Sequence, residues 1–590
     1  MKKLSLLYSL LLVWGIANAQ DTIRVAPDYT NGGALNKAIE LNGPNKVYLL
    51  EVNGFYDLNK SIEFLRPVDK PNAWYHIVGE KPKNPGDFMP IIQTGLTATN
   101  VPFEQMFSIK ADVSFKNIFI ANQAVNGQLG KFTFIIREKV RFGLDGCVVD
   151  PVGVTDLVNG GEFSRGSEVY LTNNLVLRQG DKYSPNGGHT LRDVYADTLY
   201  IENNTFVSTD NGLVAGGGIE ESKKVNFLWF NHNTVVFHDV SLIANAYLPK
   251  TYVTNNLFYD MCTFVQQHSW ASIDTDFGKS GTYFSQIKTD TAYVNGQLEP
   301  LPSNRTHFWN RNLYFVSKAV QDTLLNAAVN NPTGNQFWQI PIIWNADVPH
   351  YFVTDWAAKG QAILAASREA KMFNSSDFPN FREANTLYDV NPNFVDTRIA
   401  EFSKEVASSA LYWYRTNKLL PGTNPANQKS QFWDVDAWAG TSAAMYPAVW
   451  PRWNGKYTNP LLLTASNAGL PLGDLNAFPE AKALWEKNKD RIADHIKSLS
   501  TEKMNLTGLK SNKMENSIQI FPNPMKDYVK IEAVNPISSV KIYNVAGKLV
   551  KEVNVLNTKL VINVSDLNKG TYLVEAILVS GGKFSKNLVK

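Results

Sequence analysis

The chain has 590 residues, more than one compact core usually holds, so we expect two or more folding units. Apolar residues make up 44% and charged residues 19%, which excludes a largely disordered protein. The formal net charge of +3 comes mainly from lysines near the two ends, which leaves a mildly acidic body. A nucleic-acid interface is therefore not expected.

The first residues have the features of a secretory signal peptide. Two lysines precede an apolar run, and Ala17-Asn18-Ala19 supplies the small residues of a cleavage site. We predict that residues 1–19 are removed and that the mature protein starts at Gln20. No later run of about 18 apolar residues occurs, so no transmembrane segment is expected.

A repeat runs through the middle of the chain. Short apolar strands recur, each interrupted by Asn or a small residue, at spacings of 29, 28, 30, 29, 23 and 56 residues. A coil of this length is typical of a parallel β-solenoid, in which strands stack at about 4.8 Å. We expect a left-handed backbone and amide bonds to the next coil at the aligned residues, which are Asn117, Gly146, Asn174, Asn204, Asn233, Asn256 and Asn312.

The two cysteines test this register. Cys147 and Cys262 lie four coils apart, so about 19 Å separates them along the axis. A disulfide requires Cα atoms within about 7 Å. The sequence therefore predicts two free thiols.

The coil pattern, together with the short amphipathic helix in TNGGALNKAIELNG, resembles the pectate-lyase-like right-handed parallel β-helix, or pectin lyase fold. In that family a helix caps the first coil. The resemblance implies an all-β unit over residues 20–315. It also implies that a carbohydrate would bind in a groove along the first strand of each coil and the turn before it.

Residues 316–500 are less regular and rich in tryptophan. Ten of the 14 tryptophans lie between Trp309 and Trp485. The segment PEAKALWEKNKDRIADHIKSL has a helical apolar period, so we expect a helix that packs along the solenoid. We interpret 316–500 as the end of the β-helix and an irregular aromatic-rich cap.

The end of the chain is a separate all-β module. Residues 501–516 are polar and unpatterned, as in a linker, and residues 517–590 contain short alternating strands typical of a small immunoglobulin-like sandwich. The motifs FPNP, IYN and GTY resemble the type A C-terminal sorting domain of the type IX secretion system. The resemblance implies a bacterium of the Bacteroidota, export across the outer membrane through that machinery, and release or attachment to surface lipopolysaccharide.

Candidate catalytic residues follow the corners of three successive coils. Cleavage of a uronic acid polymer by a lyase needs a group that neutralises the carboxylate and a base that removes the adjacent proton. Arginine and lysine could neutralise the carboxylate or act as the base, and histidine could act as the base. Hydrolysis instead needs paired carboxylates, which would also suit Ca²⁺. The candidates are Arg178, Lys182, His189, Arg192, Asp210, His238 and Asp239.

Tryptophans in the cap are candidates for glycan binding, because their faces can stack on sugar rings; packing within the cap is the alternative. They are Trp433, Trp438, Trp450 and Trp453. No intact catalytic signature of a β-helix enzyme is recognisable. The sequence thus predicts a secreted or cell-surface β-helix protein that acts on extracellular polysaccharide, as a lyase or a hydrolase. Non-catalytic glycan binding or adhesion, and a structural surface role, remain alternatives.

Overall fold

The structure is a computed structural model in which the chain divides into two compact units, Met1–Lys456 with Gly473–Ser500, and Tyr457–Leu472 with Thr501–Lys590. The residues that it describes are 21–28, 32–177, 189–209, 212–216, 224–238, 241–245, 248–261, 291–294, 297–300, 306–320, 322, 381–388, 390–397, 399, 403–404, 455–501, 518–545, 547–578 and 583–590.

The first unit is a parallel β-helix built from three sheets. The eleven-stranded sheet contains Thr22–Val25, Lys46–Leu50, Trp74–Gly79, Asp112–Lys116, Arg141–Asp145, Ser167–Thr172, Ala196–Glu202, Phe227–Asn231, Lys250–Thr254, Thr306–Asn310 and Phe381–Ala384. The ten-stranded sheet contains Phe55–Asp57, Ile91–Gln93, Phe119–Ala121, Val148–Val149, Leu175–Leu177, Thr205–Thr209, Thr234–His238, Leu257–Met261, Leu313–Phe315 and Leu387–Tyr388. The seven-stranded sheet contains Ile62–Phe64, Gln105–Ile109, Phe132–Ile136, Asp156–Gly161, His189–Val194, Gly212–Gly216 and Ser241–Asn245.

The coils that have a described strand in all three sheets pass from the seven-stranded sheet to the eleven-stranded sheet and then to the ten-stranded sheet. Apolar side chains from all three sheets fill the interior as one continuous core. Phenylalanines stack from coil to coil inside it, as in Phe107 and Phe134, whose ring centroids lie 5.1 Å apart. Because no coil can bury its inner face alone, the coils stabilise one another as an array. The predicted β-helix is confirmed.

Helix α1, Ala34–Asn42, lies at the start of this unit. It buries Leu35 and Ile39 against the core of the first coils, as the amphipathic pattern predicts. Leu41, near the end of the helix, is 72% exposed.

Five asparagines form a hydrogen-bonded ladder at the corner between the eleven-stranded and ten-stranded sheets. Each of the first four side-chain amides donates to the amide oxygen of the next asparagine, at 2.9, 3.0, 3.3 and 2.9 Å in turn. Each amide oxygen also accepts the backbone N–H of the preceding coil, as Asn204 Oδ1 does from Asn174 at 2.9 Å. All five are at most 2% exposed. The ladder consists of Asn174, Asn204, Asn233, Asn256 and Asn312.

The sequence alignment is wrong by one residue at the start of this ladder. Asn117 and Gly146 have positive φ values of 54° and 65°, and they occupy the left-handed position one residue before the ladder position. In the later coils the left-handed residue is likewise the one before the ladder asparagine, as at Asn173 with φ 60°. The left-handed turn and the amide bonds are therefore carried by two adjacent residues, not by one.

A C-terminal segment of the first unit returns to the outside of the solenoid. Residues Gly473–Ala477 lie along the asparagine corner, where Asp474 accepts a hydrogen bond from Thr205 Oγ1 at 2.8 Å. Helix α2, Pro479–Thr501, then covers the outer face of the eleven-stranded sheet. Its buried residues Ala493 and Ile496 pack against a column of aromatic side chains, one per coil, formed by Tyr200, Trp229, Tyr252 and Phe308.

The second unit contains a five-stranded antiparallel module with its own core. Strand Tyr528–Asn544 is long and irregular, and on one side it pairs with Leu549–Asn563 along both of its halves. On its other side the first half pairs with Ile518–Phe521 and the second half with Thr571–Leu578, as in a small β-sandwich. The other strands are Ile518–Phe521, Leu549–Asn563, Thr571–Leu578 and Lys583–Val589. In the first unit, a separate hairpin pairs Thr291–Val294 with Gln297–Pro300.

Cys147 is a buried free thiol. Cys262 lies outside the described residues.

Candidate functional site on the seven-stranded sheet

Two columns of side chains on the seven-stranded sheet lie outside the interior core. Between them, residues such as Phe134, Val158 and Leu191 point inward and belong to that core. The first column contains Gln105, Phe132, Asp156 and His189 and continues at the register position of Gly212. The second contains Ser108, Ile135, Asn159, Arg192 and Ala215. Neighbouring positions in a column are about 4.8 Å apart.

His189 stands against a buried carboxylate. Its Nδ1 lies 3.5 Å from Oδ1 of Asp156 on the adjacent strand, and their side chains are 13% and 0% exposed. The backbone N–H of His189 donates to the same oxygen at 3.1 Å, so the strand register itself fixes the pair. Nδ1 makes no hydrogen bond among the described residues, and its 3.5 Å separation from Oδ1 is longer than an ordinary hydrogen bond. Catalytic hydrogen bonds are often this long before substrate binds.

Arg192 lies three residues further along the same strand. Its side chain is 44% exposed, and Nε is 3.7 Å from the Asp193 carboxylate. It is in register with Asn159, whose amide donates to Asp156 Oδ2 at 2.7 Å. Two adjacent coils thus bring together an exposed cation, an amide and an imidazole backed by a carboxylate. Such a group can bind an anion and accept a proton beside it.

His189 and Arg192 are the predicted candidates that the structure brings together. His238 does not join them, because it ends a strand of the ten-stranded sheet and is fully buried there. Its Nδ1 is 2.9 Å from Thr209 Oγ1 in the preceding coil. The remaining candidates lie outside the described residues: Arg178, Lys182, Asp210, Asp239, Trp433, Trp438, Trp450 and Trp453.

Sequence reasoning missed Asp156 and Asn159. The signal that could have found them is the segment DLVNG, one coil before the strand that carries His189. Its polar residues occupy the same two columns as His189 and Arg192. The number of residues from the start of this strand to the ladder asparagine varies from coil to coil. Counting back from the asparagine corner therefore did not show that Asp156 and Asn159 align with His189 and Arg192.

Two other buried carboxylates are satisfied within the fold. Burial raises the pKa of Glu202, which accepts hydrogen bonds from Trp229 Nε1 at 2.9 Å and Asn231 Nδ2 at 2.7 Å beneath helix α2. Burial also raises the pKa of Asp474 to about 7, and this carboxyl accepts from Thr205 and from the backbone of Asn476. Because both are enclosed and bonded, we interpret them as structural.

Within the described ranges, no cluster of three or more His, Cys, Asp or Glu residues is arranged to hold a metal ion. The described helices include none that is long and apolar enough to cross a membrane.

The second unit matches a known family. Residues 519–590 match the family described as the secretion system C-terminal sorting domain. The C-terminal module is a secretion sorting domain. The protein is therefore exported to the cell surface or beyond, as the FPNP, IYN and GTY motifs indicated. No match was found among curated protein sequences.

Three solved structures share local similarity with the chain. A DUF3244-family protein from Bacteroides vulgatus with an immunoglobulin-like β-sandwich is 15% identical, with a TM-score of 0.13, over 14% of this chain and 92% of that one. PorZ, a surface component of the type IX secretion system of Porphyromonas gingivalis, is 24% identical, with a TM-score of 0.12, over 14% and 12%. The PL6-family alginate lyase AlyGC is 13% identical, with a TM-score of 0.27, over 42% and 35%. The matches to PorZ and AlyGC thus span well under two thirds of those chains.

Proposed function

We propose that the exported β-helix binds an acidic extracellular polysaccharide along its seven-stranded sheet and cleaves it by β-elimination. The observation that carries this proposal is the placement of His189 and Arg192 on one strand, with Asp156 behind the imidazole. A uronate carboxylate would pair with Arg192. This pairing neutralises the carboxylate charge and so makes the proton on the neighbouring carbon more acidic.

The proton would move to His189 Nε2. Asp156 faces Nδ1 and therefore favours the tautomer that keeps the proton there, leaving Nε2 free to accept another. As this C–H bond breaks, a carbon–carbon double bond forms and the glycosidic oxygen leaves, taking a proton from water. The product would carry an unsaturated uronate at its new end. Ca²⁺ dependence, which the sequence suggested, stays a prediction.

Non-catalytic binding of the same polymer is the second candidate. The imidazole of His189 is only 13% exposed, which limits its reach to substrate, whereas the Arg192 side chain is 44% exposed. An exposed arginine on a rigid strand can bind a carboxylate without any cleavage.

The test is incubation of the purified chain with polyuronates and neutral glucans, with and without Ca²⁺. With a polyuronate we expect ultraviolet absorbance from unsaturated uronate to appear. His189→Ala should slow its appearance at least about 100-fold, as for the loss of other general bases. Arg192→Gln should mainly raise KM. Arg165→Gln is the matched control, because Arg165 is equally exposed but paired with Glu162 at 2.9 Å in the neighbouring turn. Slower migration of the protein in a gel that contains polyuronate, without formation of product, would favour binding alone. If neither binding nor product is detected, the proposal is refuted.

A further inference from the structure

The seven-stranded sheet carries a second cation on the N-terminal side of His189. Arg137 directly follows strand Phe132–Ile136, and its guanidinium donates to Gln105 Oε1 at 3.2 Å. Gln105 belongs to the first column of the sheet, so Arg137 reaches back over the same face that carries the candidate site. The Arg137 side chain is exposed.

In the part of the chain that the structure describes, Arg137 differs from its neighbours in having no acidic partner. Lys110 pairs with Glu63 at 3.4 Å, and Lys131 pairs with Glu104 at 3.6 Å. Among the described residues, no carboxylate lies within ion-pair distance of the Arg137 guanidinium. A neutral glutamine orients it instead. A charge that is held in place but not neutralised is suited to an anion from outside the protein.

An aromatic ring, Phe132, occupies the same column as Gln105, and Lys131 Nζ lies 5.0 Å from its centroid. Phe132 is half-buried and is in register with Gln105 on one side and Asp156 on the other. Its position is two coils from His189, or about 10 Å along the axis. Aromatic side chains offer a flat apolar face, and the C–H faces of sugar rings are the apolar part of a glycan.

We infer that Gln105, Phe132 and Arg137 form a second subsite, which binds another acidic sugar of the same polymer strand. This inference rests on the proposed function and deepens it, because it assigns the substrate class as a chain with repeated carboxylates. One sugar cannot reach both Arg137 and Arg192. The polymer therefore lies along the solenoid axis and crosses at least the coils that begin at Gln105, Phe132, Asp156 and His189.

The experiment measures binding of polygalacturonate and alginate oligomers of increasing length to the full chain, with neutral dextran as the reference. We expect Arg137→Gln to weaken binding of long oligomers about tenfold, as for the loss of one charge-assisted hydrogen bond, and to leave the shortest oligomers unaffected. Arg137→Lys should restore part of the affinity, and Arg165→Gln should match the wild type. Phe132→Leu, which keeps an apolar side chain, should weaken binding of long oligomers without changing thermal unfolding.

Each other outcome overturns a definite part of this reasoning. If the wild type binds and Arg137→Gln binds equally well at every length, the second subsite is wrong and the proposed function stands. Equal losses in Arg137→Gln and Arg165→Gln would indicate general charge attraction and would also overturn the subsite. If the wild-type chain binds no polyuronate, both the subsite and the proposed function fail.

Discussion

Replacing one rung of the asparagine ladder should destabilise the β-helix strongly. The Asn204 side chain donates to Asn233 Oδ1 at 3.0 Å and to the Leu171 carbonyl at 2.8 Å. Its Oδ1 accepts both the backbone N–H and the side-chain amide of Asn174 at 2.9 Å. Asn204→Ala therefore removes four buried hydrogen bonds, which at about 1 kcal/mol each lowers the free energy of unfolding by about 4 kcal/mol.

The local assay is hydrogen exchange of the full chain, read by mass spectrometry on peptides from the coils that contain Asn174, Asn204 and Asn233. Exchange there should quicken in the variant, because opening of these coils becomes easier. The matched control is Asn126→Ala, an exposed asparagine whose amide bonds only within surface loops, and we expect a change of about 0.5 kcal/mol or less. A variant at Asn204 that stays within about 1 kcal/mol of the wild type would show that the ladder contributes little.

Three further predictions concern pH, thiol reactivity and export. Burial raises the pKa of Asp474 from 3.8 to about 7, so the stability that this protonated carboxyl contributes should be greatest below about pH 4 and fall by up to about 1.4 kcal/mol per pH unit until about pH 7. In thermal unfolding the wild type should therefore lose stability relative to Asp474→Asn over this range, and an identical pH dependence of the two would exclude Asp474 as a source. Burial raises the pKa of Cys147 to about 12, so a thiol reagent at pH 8 should label this residue only after the protein unfolds. Labelling is measured by mass spectrometry, and rapid labelling of the native protein would contradict the burial. A chain that ends at residue 516 should be retained inside the cell because it lacks the sorting domain, and its appearance outside at the full-length level, seen by immunoblot, would count against that role.

The fold could be predicted from the sequence because the corner imposes a nearly constant period. A coil of fixed circumference needs a corner at regular intervals, and asparagine occupies the ladder position, one residue after the left-handed turn residue, at five successive corners. The register was still wrong at Asn117 and Gly146, because asparagine suits both the left-handed position and the ladder position that follows it. Pairs such as Asn173 and Asn174 occupy both positions, so composition alone cannot separate them.

The candidate site was only partly predictable, because the loops between the sheets differ in length. The strand of the seven-stranded sheet begins 18 residues before Asn174 in one coil and 15 residues before Asn204 in the next. His189 and Arg192 could be selected as polar residues with suitable chemistry near a predicted strand. Recognition of Asp156 as the partner of His189 requires the strand pairing, which depends on packing between coils and not on spacing along the chain.

The segment from Gly473 to Ser500 has a consequence for how the molecule is made. Its contacts join residues far apart in the chain, as when Asn476 donates to the carbonyl of Asn203, 273 positions earlier. The aromatic column of Tyr200 and Trp229 stays open to water until this segment has been synthesised. The middle coils therefore cannot bury this aromatic column until the chain has been made as far as residue 500, close to the start of the sorting domain. Any chain truncated before that segment exposes an apolar aromatic surface that favours aggregation.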